Sequence, residues 1–313
     1  PCLPSHAFQC TPAISGAFYV PPASSSAFFA LAASAVMASA VASGQRRQLI
    51  CRFQRSRTQG RVTMAAGTSK PCYEVVPLEG KGLGARATRN IALGEFVEKE
   101  NPVLVASMLE DDRRTFSASM RRQFDGLPLE SREAIMSLHD ATAVLPLEKT
   151  VENIFKTNCF STNHGDALLG LNISRFNHSC APNCERGWDE VAGNMFTRAS
   201  TDIAAGDELS VYYTNLLAAK ALRQERLWTS WRFTCRCAAC SDNDETSDQR
   251  RERAGQLESW LQSESDVEPL VGIEKVVEFL QLCDAEGLSD QRLRGNACNK
   301  AYNFSLRAGE LHE

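Results

Sequence analysis

From residue 72 to residue 107 short apolar runs alternate with polar positions, and glycine-bearing turns cut them, as in CYEVVPLEGKGLGARATRNIALGEFVEKENPVLVAS. A period of two bounded by such turns predicts a meander of short strands. The period changes near Met108. Over 108–147 apolar residues recur at helical spacing, with Phe116, Met120 and Phe124 on one face and Ile135, Met136 and Leu138 on another. Leu127-Pro128 divides this stretch into two helices, because proline lacks the backbone N–H and its ring clashes with the preceding turn. Strand-like alternation returns in GNMFTRAS and DELSVYY, and a helix is predicted over 215–231. The charged run SDNDETSDQRRER after Cys240 reads as a solvated linker. Beyond it a helical region over 250–313 includes GIEKVVEFLQLCDAEGL, an amphipathic pattern closed by Gly287. The helical pattern persists to Glu313 and predicts a continuation. The sum is a β-rich α+β chain without internal repeat.

Residues 1–70 differ from the rest. A run of small apolar residues and serines over 27–42 is too short and too weakly hydrophobic for a membrane span, and the acid-free, arginine-rich RRQLICRFQRSRTQGR follows it. That order resembles a plastid-like, bipartite import leader. The other reading places a natural start at Met64, in MAAGTSK, with cytoplasm or nucleus as the location. Neither contributes to the folded body, which begins near Cys72.

The formal charge of −4 conceals an asymmetry: residues 1–70 hold seven Lys and Arg and no acid, leaving 27 basic and 38 acidic residues in 71–313, a net of −11. An acidic body argues against direct nucleic-acid binding and suits a basic protein or peptide partner. Membrane association is not expected either. Twelve cysteines in a chain this long, five of them clustered at Cys180, Cys184, Cys235, Cys237 and Cys240, fit reduced thiols with one metal site better than a disulfide scaffold. FTCRCAACS places Cys235, Cys237 and Cys240 in a C-x-C-x-x-C array whose tight turn can direct three thiolates into one volume. Zinc wants four, and SRFNHSCAPNC offers Cys180 and Cys184 as candidates for the fourth. A closed site of four cysteines has no position for a catalytic water, so such a metal holds structure.

Two further stretches are ambiguous on their residues. GKGLGARAT lacks phosphate-loop spacing and has strands on both flanks; its glycines permit close backbone approach to a ligand, or simply a hairpin. GDELSVYY is a turn and a strand ending in Tyr212 and Tyr213, which alternation sends to opposite faces.

In order along the chain, GKGLGARAT, RFNHSCAPNC, GDELSVYY and CRCAAC resemble the glycine turn, the N-H-S-C-x-P-N signature, the G-[ED]-E-L-x-x-x-Y strand and the post-SET zinc segment of the SET-domain protein lysine methyltransferases. FKTNCFST and RLWTSWRFTCRCAAC are further similar to the SET-and-MYND subgroup and its fungal-type relatives. That subgroup's MYND zinc module has no counterpart here, since 108–147 contains no cysteine. The resemblance implies a SET fold over 71–240: short strands in small sheets, a helical insertion at about 108–147 and a post-SET zinc segment at 233–240, with C-terminal helices after it. It implies S-adenosylmethionine as methyl donor and a lysine-containing protein or peptide as substrate; a non-catalytic SET module that binds a peptide or partner protein is the alternative. By motif position Lys81, Gly82 and Leu83 would offer backbone groups to the cofactor. Asn158, Ser174, Asn177 and His178 would contact it and Phe233 would stack near its adenine. Tyr213 matches the catalytic tyrosine, Phe160 the lysine channel, and Cys180 joins Cys235, Cys237 and Cys240 on one structural zinc, leaving Cys184 without a role.

The chemistry is consistent with this set. Transfer from a sulfonium to an amine needs alignment and a neutral amine, whereas free lysine has a pKa near 10.4 and must shed its proton. Tyr213 is then an orienting and electrostatic group rather than a general base. His178 is expected to hold its loop through a buried ring hydrogen bond, acting as neither nucleophile nor zinc ligand.

Overall fold

The computed structural model describes residues 71–107, 113–143, 145, 148–162, 165–242, 244–263 and 267–310. Residues 1–70, and with them both readings of the N-terminal segment, lie outside the described residues. The described residues fall into two compact units, 72–249 with 288–290, and 250–287 with the residues from 291 onward.

The first unit is built on three small sheets. Tyr73–Leu78 (β1) and Gly82–Ala87 (β2) pair antiparallel across a turn in which Gly80 and Gly82 take φ of 68° and 71°, a region open to glycine at no steric cost. Glu208–Val211 (β10) adds antiparallel to β2, and the two residues Asn177–His178 (β7) add parallel to β10, giving the order β1-β2-β10-β7. Phe96–Glu100 (β3), Asn194–Ala199 (β9) and Cys184–Asp189 (β8) form a second sheet in the order β3-β9-β8. Leu104–Ser107 (β4), Asp166–Leu169 (β6) and Phe160–Ser161 (β5) form the third, ordered β4-β6-β5. One core gathers Ala85, Ile91, Phe176, Ala199, Ile203, Leu209 and Val211 between the first two sheets, with Cys184 buried among them. Cys184 is thus a small core hydrophobe, and burial pushes its thiol up to about 12.

The insertion is helical as its period requires. Arg113–Asp125 (α1) and Leu129–Met136 (α2) are separated at Leu127-Pro128. Phe116, Met120, Ile135 and Leu138 are buried together with Leu104, Leu169, Ile154 and Phe155. Ile154 and Phe155 lie on Val151–Asn158 (α3), whose N-cap Thr150 accepts from the Asn153 N–H.

Two expectations are corrected. The helix Lys220–Trp231 (α4) begins five residues after 215, because the Asn215 side chain accepts from the Leu217 N–H at 2.9 Å in a turn. The Lys220 N–H is instead capped by Asp248 Oδ1 at 2.6 Å, a residue 28 positions on that no local pattern reveals. The charged run after Cys240 is a linker only to about residue 246, since Ser247–Ser263 is helix (α6, after the short Ala238–Ser241, α5). Its arginines are used within the second unit. Arg250 and Arg251 each donate to Glu286 at 2.7 Å, and Arg253 donates to Glu278 at 2.6 Å. Arg251 is fully buried, so its charge must be paired, and the apparent solvated run is one half of an ion-pair network. Pro269–Ala285 (α7), ending near Gly287 at φ 64°, and Gln291–Glu310 (α8) complete that unit, with Gly272 giving room to the Phe304 ring. Among the described residues no helix is long and apolar enough to cross a membrane.

Candidate active site

The glycine turn and the signature strand are brought into contact. The Asn177 side chain donates to the Leu83 carbonyl at 3.4 Å, and a Cβ on Gly84 would land on that amide and on Leu78. The third glycine of GKGLG is therefore what lets Asn177 approach β2. Gly82 has open space where a side chain would project. The Lys81 N–H closes the turn on Leu78 O at 3.1 Å and its ammonium pairs with Glu208 at 2.5 Å, so of its backbone groups the carbonyl is the one left to a ligand.

The turn leading into the signature is clamped by Glu100. Its carboxylate accepts from the N–H groups of Leu171, Asn172 and Ile173 at 3.0, 3.1 and 2.6 Å, capping the single 3₁₀ turn Ile173–Arg175. Burial raises the Glu100 pKa, and those N–H groups oppose the rise. Ser174 hydrogen-bonds back to the Gly170 carbonyl in the same turn. Asn158 spends both amide hydrogens on His139 O and Ile154 O, each at 2.7 Å, leaving its side-chain oxygen. Ser174 is thus held within its own turn and Asn158 is tied to the loop at His139, and their described side-chain contacts join them to neither Asn177 nor Tyr213.

Tyr213 is where the elements converge. β10 ends at Val211, so strand alternation does not govern the two tyrosine rings as expected. The Tyr213 hydroxyl donates to Phe176 O at 2.7 Å, and its ring lies 5.3 Å from that of Trp231, 5.5 Å from His178 and 6.5 Å from Phe233. Burial pushes its phenol up to about 12, Arg186 opposing and Glu208 adding to the rise, so it stays protonated near neutrality. With the proton committed to Phe176, the oxygen lone pairs remain to accept. Phe160 joins this group through Arg186, whose guanidinium carbon lies 5.3 Å from the Phe160 ring centroid and 5.4 Å from that of Tyr213.

His178 takes the Tyr213 N–H on Nδ1 at 3.0 Å, which places its own hydrogen on Nε2, 3.3 Å from Cys180 Sγ. Burial holds its pKa down at about 3, so the ring is neutral. The unfolded chain takes a proton below pH 6.5 and the folded chain does not, so stability falls as pH drops from 6.5 toward 3. His178→Asn keeps an acceptor near Nδ1 without titrating. Relative to the unsubstituted chain it should gain about 2 kcal/mol between pH 6.5 and 5, read from urea midpoints.

The four cysteines Cys180, Cys235, Cys237 and Cys240 are buried, with all sulfur atoms within 4.8 Å of one another. Thiolates around tetrahedral zinc sit roughly 3.8 Å apart, given Zn–S bonds of about 2.3 Å. Cys180 and Cys240 are 3.5 Å apart, and Cys237 Sγ accepts the Cys180 N–H at 3.4 Å. Hydrogen bonds from Cys180 and Cys235 pull Cys240 down to about 6, and those from Cys180, Cys235 and Cys240 hold Cys237 far below the usual thiol range. The donor set, burial and spacing fit zinc. Fully buried Arg223 donates from Nε to Cys180 Sγ at 3.3 Å, supplying positive charge beside thiolates that outnumber a divalent ion's charge by two. Gln224 brackets Cys235, donating to its carbonyl and accepting its N–H, both at 2.8 Å.

Four further residues complete this site, none of them assigned a role from the motifs. Asn183, inside the signature, ties β10 in place by accepting from the Ser210 N–H and donating to Glu208 O, both at 2.9 Å. Trp231 stacks on Tyr213 and donates to Thr157 O at 2.8 Å. Glu100 and Arg186 act across sheets, and nothing in their local sequence announces it.

A β-rich domain with a glycine hairpin against a short Asn-His strand, a half-buried tyrosine and a four-cysteine cluster defines the class. The SET domain family model matches residues 82–214, and the chain carries a SET domain. Its similarities run to SET5 and SMYD lysine methyltransferases. Histone-lysine N-methyltransferase set5 of Schizosaccharomyces pombe is 28% identical over 170 residues, covering 54% of this chain and 50% of that protein. Human histone-lysine N-methyltransferase SMYD3 is 29% identical over 158 residues, covering 47% and 36%. The chicken protein-lysine N-trimethyltransferase SMYD5 is 30% identical over 139 residues, covering 42% and 31%. The chain spans half or less of the length of these relatives.

Proposed function

We propose that this chain transfers a methyl group from S-adenosylmethionine to the ε-amine of a protein lysine. The observation that carries the reading is the Tyr213 hydroxyl, half-buried and held on Phe176 O at 2.7 Å, two residues past the strand that pairs with Asn177–His178. The backbone-lined hairpin, opened by Gly82 and by the absence of a Cβ on Gly84, fits a ligand recognised through main-chain groups. Lys81, Gly82, Leu83, Asn177 and His178 would hold the cofactor there, with Asn158, Ser174 and Phe233 at its edges. When bound, S-adenosylmethionine would supply a methyl carried on a sulfonium, to which the lone pair of a neutral amine could bond in line as the S–C bond breaks and the sulfur leaves as the neutral thioether.

The remaining work belongs to the chain. Phe160 and Tyr213 would line the path of the lysine stem, and the Tyr213 oxygen and Phe176 carbonyl would orient the amine. With its phenol pushed up to about 12, Tyr213 is a poor base, so the lysine proton leaves to water. The four cysteines would hold one structural zinc that pins the Phe233 segment beside His178. The net of −11 over 71–313 favours a basic protein or peptide substrate, in keeping with relatives named for histone lysine. Calorimetric titration with S-adenosylmethionine tests the reading. One site per chain is expected, weakened at least tenfold by Gly84→Ala, whose methyl would displace Asn177. Absence of binding to the folded, zinc-loaded chain would overturn it.

A further inference from the structure

Arg186 is the feature that the function above does not use. It lies on β8, paired with Thr197 of β9, and is half-buried. Its guanidinium carbon is 5.3 Å from the Phe160 ring centroid and 5.4 Å from that of Tyr213, and Nη2 donates to the Tyr212 carbonyl at 3.3 Å. Among the described residues no carboxylate lies within ion-pair distance of it. Its neighbour Glu185 is engaged by Arg198, and Glu208 by Lys81. A guanidinium stays charged at every working pH. Two aromatic faces and one carbonyl therefore stand in for a counter-ion.

We propose that Arg186 is a charged gate on the lysine path, a fixed cation between Phe160 and Tyr213 that turns away protonated lysine and admits the neutral amine. The inference rests on the reading of Phe160 and Tyr213 as that path. A lysine stem entering between the two rings brings its nitrogen within several ångströms of the guanidinium. A like charge that close disfavours the ammonium form, so the proton passes to water before the amine settles. Arg186 thereby does part of the deprotonation that the chain's poor bases cannot do. The other ionisable groups around the rings leave this cation unopposed. Glu208 is paired with Lys81, and His178 spends Nδ1 on the Tyr213 N–H. The residue is a positioning and selecting group and takes no methyl itself.

The test is steady-state methylation of a lysine peptide across pH 6–10 by the full chain, for Arg186→Met, Arg186→Lys and Tyr213→Phe, with S-adenosylmethionine affinity and zinc content as checks of folding. Arg186→Met keeps length and contact with the rings but removes the charge. It should lower KM several-fold, because protonated lysine now enters. The acid limb of kcat should move up by about one pH unit, because the bound lysine holds its proton more firmly. Arg186→Lys keeps a cation and should retain the original limb. A merely structural role would depress both variants without moving the limb. If Arg186→Met keeps the original limb and KM while Tyr213→Phe abolishes transfer, the gate is wrong and the site stands. If Tyr213→Phe transfers methyl normally, the path lies elsewhere and the gate falls with it.

Discussion

Tyr213→Phe is expected to cut methyl transfer by about 100-fold or more while changing S-adenosylmethionine affinity by only a few fold. The substitution removes one oxygen and leaves the ring, so the contacts to Trp231, His178 and Phe233 persist and the fold has no reason to fail. What disappears is the hydroxyl whose hydrogen is committed to Phe176 O, and with it the lone pairs aimed at an incoming amine. A loss confined to turnover separates an orienting oxygen from a packing ring. Single-turnover measurements at saturating cofactor and peptide would show it. Full turnover in the variant would remove Tyr213 from the reaction.

Cys235→Ser should abolish zinc binding and lower the thermal midpoint by more than any other single cysteine change in the chain. Three thiolates and a hydroxyl bind zinc far less well than four thiolates, and structural zinc in small sites contributes on the order of 10 kcal/mol of binding free energy that is also folding free energy. Cys235 ties the segment that carries Phe233 to Cys180 through the sulfur cluster, and without the metal only the Gln224 bonds to its backbone remain to hold that segment. Because Phe233 lies 6.2 Å from the His178 ring, cofactor affinity should fall as well. Cys184→Ser is the internal contrast. That thiol is packed with Ile91, Phe176 and Leu209 outside the cluster, so the change should cost core stability but leave one zinc per chain by elemental analysis. Equal zinc loss in both variants would contradict the assignment of Cys180 as the fourth ligand.

The two substitutions also mark which parts of the molecule a sequence can express. The hairpin at GKGLG, the proline break at Leu127-Pro128 and the C-x-C-x-x-C array were legible because each is a local rule: left-handed φ, a missing N–H, thiols on one turn. The helix Val151–Asn158 is absent from the sequence reading, because its Thr150 cap and its apolar Val151, Ile154 and Phe155 make too weak a period in so short an element. What stayed hidden is non-local. Lys220 is capped by Asp248, Glu286 gathers Arg250 and Arg251, and Glu100 clamps a turn some seventy positions on. A charged run reads the same whether water or a distant carboxylate answers it, which is why RRER looked like linker. The candidate site shows the same division. Its motifs mark Asn177, His178 and Tyr213, while Arg186 and Trp231 reach it only because three sheets and a helix bring them there. Cys180 and Cys184 are four residues apart and chemically alike, and only the fold sends one to the metal cluster and the other to the core.

Transfer of a labelled methyl group tests lysine methylation by this chain most directly. The zinc-loaded chain would be incubated with methyl-labelled S-adenosylmethionine and a cell extract, and the labelled proteins hydrolysed to amino acids. Label recovered as methyl-lysine, and lost when Tyr213→Phe replaces the unsubstituted chain, is the predicted result. A chain that binds the cofactor yet leaves no label on any lysine would contradict the account and leave a SET module that binds without reacting.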